Sequence, residues 1–114
     1  SNCNLNMAIF CLGKWVHLKE PSILLIDVEG AELNVLKGGR SFITNNSPLI
    51  IFEYNEVSKK YFNLKDVQTV LGKNYKIYRL KADRYLDENY DGTWNMVAVH
   101  SNSAFSPAVI SMVK

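Results

Sequence analysis

Two short apolar runs, each stopped by a carboxylate, set the pattern of the chain. In Ser22–Asp27, Ile23-Leu24-Leu25-Ile26 runs without interruption and ends at Asp27. A run of that length, rich in branched residues and bounded by polar punctuation, predicts a strand buried on both faces. The period then changes. Leu33, Leu36 and Lys37 fall at helical spacing behind Ala31 and Glu32, with Val35 alongside, and Gly38-Gly39 punctuates the end. Ser41–Asn46 reads as a last helical turn before an Asn-Asn-Ser-Pro break, and Pro48 opens the second run, Leu49-Ile50-Ile51-Phe52, which stops at Glu53. Two buried strands, each followed by an acidic end and a helix, predict a β-α-β-α unit with parallel strands.

The flanking segments are less regular. Met7–Leu12 fits a short strand or a short buried helix, and Trp15–Leu18 a second extended piece. Val57–Leu71 is amphipathic, with Val57, Tyr61, Leu64, Val67, Val70 and Leu71 able to share a face. Phe62–Asp66 can split it into two helices, with Asn63 capping the second and Gly72 stopping it. Tyr75–Leu80 alternates as a strand with one wet face does. Ala82–Thr93 is polar with an Asp91-Gly92 turn signal, and Trp94–Val99 is the last strand, antiparallel to its predecessor. The Ala108–Lys114 tail is apolar enough to dock, at a place the pattern does not specify. The predicted architecture is a single α/β domain with helices on both sides of a mixed sheet: two parallel strands followed by an antiparallel pair.

Composition narrows the function classes. With 114 residues, 47% apolar and 21% charged, the chain suits one soluble globular domain. A formal net charge of +2 with scattered lysines argues against a nucleic-acid partner. No apolar run reaches the roughly 18 residues of a transmembrane helix, and no basic residue precedes Met7–Leu12 as in a signal peptide. Cys3 and Cys11 could form one disulfide but read better as reduced thiols in a cytoplasmic protein. Because Ser1 replaces an initiating Met, Ser1-Asn2 reads as a cloning remnant or the chain as a trimmed piece of a longer one.

Chemistry concentrates at the mouths of the two buried strands. Ligands in open α/β sheets bind outside the carboxyl ends of the strands. Asp27 and Glu29 at such an edge can orient a substrate hydroxyl, accept its proton, or hold a divalent cation. Glu53 ends the neighbouring strand at the same edge, with Tyr54 and Asn55 beside it. Glu32 reads as a first-turn carboxylate complementing the helix dipole. Gly30 reads as a residue that lets backbone approach closely at the turn. His17 and His100 have no catalytic partner at any recognisable spacing, and Trp15 and Trp94 read as core or edge-covering. Gly38-Gly39 ends a helix, whereas a phosphate loop opens one.

The motif D-V-E-G-A-E-x-x-V-L-K-G-G at Asp27–Gly39 resembles the FkbM-type methyltransferases. So do the P-L-I-I-F-E strand at Pro48–Glu53, Leu71-Gly72 with Tyr75–Tyr78, and Asn95–Val99. The resemblance covers about Ser22–His100 and aligns this stretch with the C-terminal half of a class I methyltransferase, its fourth to seventh strands. It implies a Rossmann-like sheet, S-adenosylmethionine as cofactor, and methyl transfer to an oxygen of a small-molecule acceptor. On that basis Asp27, Glu29 and Glu53 are the expected catalytic residues, Asp27 and Gly30 the expected cofactor contacts, and no resident metal is expected. The Gly-rich cofactor turn of the family has no counterpart before Asp27. The resemblance therefore also implies a chain inactive or very weak by itself. The other expectation is a non-catalytic interaction module or a truncated fragment. With the family's first strand missing, Ser22–Asp27 becomes a sheet edge. Either Met7–Leu12 covers it, or the chain pairs there with a second copy by dimerisation or strand exchange.

Overall fold

The computed structural model describes residues 21–88 and 94–114, and the side chain of Trp94 lies outside the description. Expectations for Met7–Leu12, Trp15–Leu18, Cys3, Cys11, His17 and the Asp91-Gly92 turn fall outside those residues. The elements in chain order are β1 (Ile23–Ile26), α1 (Glu32–Gly38), α2 (Arg40–Asn46), β2 (Leu49–Tyr54), α3 (Glu56–Lys59), α4 (Leu64–Leu71), β3 (Tyr75–Leu80), β4 (Leu86–Asp87), β5 (Trp94–His100) and α5 (Ser106–Ser111). The strands form one mixed sheet in the order β1-β2-β5-β3-β4. β1 and β2 are parallel, with Ile26 opposite Phe52 at their carboxyl ends. β5 enters antiparallel between β2 and β3, so the expected antiparallel pair is present and also stitches β3 to the parallel unit.

Alternation of side chains places two apolar clusters on opposite faces of this sheet. On one face Leu24, Ile26, Ile50, Phe52, Ile77 and Met96 meet Leu36 of α1, Ile43 of α2, and Val67 and Leu71 of α4. On the other, Leu49, Tyr78, Val97 and Val99 meet Val109 of α5, with Ile51, Leu80 and Val113 packed alongside. The tail therefore docks over the distal strands. Beyond α5 it runs along β4, where the Leu86 N–H donates to Met112 O (2.8 Å) and the Lys114 N–H donates to Leu86 O (3.1 Å).

Several expectations change. β1 is buried on one face only: Leu24 and Ile26 are inside, whereas Ile23 and Leu25 are 57% and 68% exposed. The cause is placement. α5 covers the second face only near β3, β4 and β5, and among the described residues nothing pairs with the outer side of β1. Gly39 does not end the helical stretch but joins two helices, and the turn expected at Ser41–Asn46 is a full helix, ended by Ser47 in the left-handed region (φ 46°). The Val57–Leu71 stretch divides as its Asn63 signal suggests, with a capping box between Asn63 and Asp66. Because α3 is separate, Val57 and Tyr61 leave the expected apolar face and are exposed. β4 interrupts a segment that reads as loop. It is held by the Arg79–Asp87 ion pair (2.8 Å) and by Leu86, which is buried although its neighbours are polar. No described helix is long and apolar enough to cross a membrane.

Candidate functional site

The parallel register of β1 and β2 puts the residues that follow Ile26 and Phe52 at one edge of the sheet. Asp27 leaves β1 there, and Glu53 occupies the matching place in β2. Glu29 joins them through its backbone: its φ of 46° lies in the left-handed region that non-glycine residues rarely enter. Carboxylate oxygens of Asp27, Glu29 and Glu53 all lie within 4.8 Å of one another. Asp27 and Glu29 are exposed and Glu53 is half-buried, so the cluster faces solvent. The three expected catalytic residues thus come together.

Glu32 is the residue whose role the sequence conceals. It is 1% exposed, and its two oxygens accept from the Val28 N–H (3.1 Å) and the Gly30 N–H (2.9 Å). A buried carboxylate receiving two backbone donors fixes the loop that carries Glu29. Its role is structural, as expected, but it works by tying the turn from inside, not by decorating a helix end. The available signal is the D-x-E-G-x-E spacing itself, which puts Glu32 within reach of amides two and four residues back.

Gly30 has a φ of 93°, and a Cβ at this position would lie 2.7 Å from Cδ2 of Tyr61. Close approach is therefore its visible part, and Tyr61 is the group that approaches. Its N–H is already engaged by Glu32.

Asn55, which the sequence places beside Glu53, bonds directly to the cluster. Its Nδ2 donates to Glu53 Oε1 (3.0 Å), while its Oδ1 caps α3 by accepting from the N–H groups of Val57 (2.9 Å) and Ser58 (3.0 Å). The Asn-x-x-Ser box that starts α3 thereby also orients a carboxylate of the cluster. Tyr54 does not line the cleft: it is buried in the core, and its hydroxyl donates to Phe62 O (3.2 Å). Burial pushes its phenol above the ordinary value, against a smaller lowering influence of Lys59. His100 lies away from this edge, at the carboxyl end of antiparallel β5.

Chemically, the three carboxylates offer oxygen acceptors. Mutual repulsion of carboxylates this close is relieved when a hydroxyl donor or a cation lies between them. The donor set therefore suits orientation and deprotonation of a hydroxyl, and its oxygens could equally share a divalent ion.

Searches of the curated proteins and of the solved structures gave no match. A family model, described as the methyltransferase FkbM domain, matches residues 10–94. That span contains both parallel strands, the acidic turn and the helices that position them, and covers most of the chain. The chain belongs to the FkbM methyltransferase domain family.

Proposed function

We propose that this chain carries the acceptor side of an S-adenosylmethionine-dependent O-methyltransferase acting on a small-molecule hydroxyl. The observation that carries the reading is the convergence of Asp27, Glu29 and Glu53 within 4.8 Å at the carboxyl ends of β1 and β2. In this reading the cluster aligns the acceptor hydroxyl and takes up its proton as the oxygen becomes nucleophilic. Asn55 is a positioning residue that holds Glu53. The cofactor supplies the methyl group when bound. Asp27, an exposed carboxylate at the strand mouth, fits a polar contact to it, whereas the Gly30 N–H is committed to Glu32. Gly30 is therefore given the shape of the turn and not a direct contact.

Isothermal titration with S-adenosylmethionine and S-adenosylhomocysteine tests the reading, with Asp27→Ala as control. Micromolar binding lost in the variant makes the chain a cofactor-binding enzyme domain. No binding up to millimolar ligand overturns that and favours the second reading, a non-catalytic interaction module. The observation on that side is the β1 edge, unpaired among the described residues, with Ile23 and Leu25 exposed.

A further inference from the structure

At the end of the sheet remote from the carboxylates, a groove of about 310 Å³ opens between α2 and the α4–β3 turn. One face of α2, with Arg40, Ile43 and Thr44 at helical spacing, forms one wall with Ser47 just beyond its end. Lys73 and Asn74 lie on the other, with Leu71, Tyr75 and His100 among the remaining lining residues. Among the described residues no carboxylate lines it. Among the described residues, neither Arg40 nor Lys73 is in an ion pair.

Several backbone acceptors around the groove are already engaged. Gln68 Nε2 donates to both Gly72 O and Tyr75 O (2.8 Å each), the Tyr75 hydroxyl donates to Pro48 O (2.7 Å), and the Ser101 N–H donates to Asn74 O (2.9 Å). His100 Nδ1 accepts from the Asn102 N–H (3.0 Å), which in the neutral ring leaves the hydrogen on Nε2. Burial pushes the Tyr75 phenol well above its ordinary value, so it stays a neutral donor. A ligand here meets a guanidinium, an ammonium and an imidazole N–H, with the Thr44 hydroxyl and the Asn74 amide able to donate or accept, beside the half-buried Val70 and the edges of Ile43 and Leu71. Two cationic side chains outside any described ion pair, with no carboxylate among the described lining residues, favour an anion.

We infer that this groove binds a small organic anion, a phosphate monoester with an apolar body, through Arg40, Lys73 and His100. The site is separate from the carboxylate cluster, and the inference does not depend on the methyl-transfer reading.

The probe is phenyl phosphate, titrated into the chain and followed by amide NMR, beside inorganic phosphate and uncharged phenol. The expected result is saturable shifts confined to residues 40–47, 71–75 and 100, with inorganic phosphate weaker and phenol weaker still. Arg40→Ala/Lys73→Ala, both exposed positions, is expected to lower affinity at least ~10-fold, the size of losing a charge-assisted contact. Lys65→Ala/Lys114→Ala, which removes equal charge elsewhere, leaves affinity unchanged. Equal weakening by both double variants, phenol binding as well as phenyl phosphate, or no shift in the groove at millimolar probe overturns the inference.

Discussion

At the scale of single residues, the candidate site depends on a turn whose backbone is unusual at two adjacent positions. Glu29 sits at φ 46° and Gly30 at φ 93°. Glu32 holds both in place from beneath, using its two oxygens on the Val28 and Gly30 amides. Gly30→Ala puts a Cβ into a sparsely allowed conformation, at a cost of about 1–3 kcal/mol. It also drives Cβ to 2.7 Å from the ring of Tyr61. Tyr61 is 71% exposed and free to swing away, so most of the loss is backbone strain. Urea unfolding of Gly30→Ala and Gly30→Ala/Tyr61→Ala checks this. The double variant should recover only a small part, and full recovery would place the cost in the ring contact.

At the scale of elements, the two short helices after β2 begin in similar ways and differ in what their caps touch. Asn55 and Asn63 each anchor a capping box, and replacing either by Ala is expected to cost ~1 kcal/mol. Only Asn55 also bonds a carboxylate of the cluster. Asn55→Ala should therefore move the Glu53 carboxyl resonance in carbon-detected NMR, and Asn63→Ala should leave it in place. Equal effects would mean that the Asn55–Glu53 bond has no orienting role. Elements of this kind were readable beforehand, because Asn63 followed by an apolar period is a local signal. β4 was not. A two-residue strand has no period, and it exists because Arg79 reaches Asp87 and because residues 112–114 lie against Leu86. Glu32 was concealed for a related reason: hydropathy marks it as surface, and only the folded turn supplies its two donors.

At the scale of the whole molecule, the parallel unit was legible because Ile23–Ile26 and Leu49–Phe52 are apolar runs with the same acidic ending. Exposure of Ile23 and Leu25 was not, since it depends on how far α5 reaches across the second face. An apolar, half-covered strand at a sheet edge is a template for pairing. We expect the chain to associate through residues 22–27, with light scattering showing a dimer at high concentration. Leu25→Lys should return it to monomer without loss of helix content by circular dichroism. A wild-type chain that stays monomeric under the same conditions would remove the expectation.

The tail along β4 bears on what form such association can take. The Met112 carbonyl and the Lys114 amide occupy the backbone of Leu86 on the side away from β3. Among the described residues the sheet is thus covered at the β4 margin and unpaired at the β1 margin. A sheet with two free margins can add copies head to tail without limit, whereas one with a single free margin can meet only its own image across a two-fold axis. On that arrangement, self-association by strand pairing is expected to stop at two copies, with growth along the sheet hindered while residues 112–114 stay in place. Displacing them by truncation would be expected to turn a bounded complex into a concentration-dependent series of larger ones.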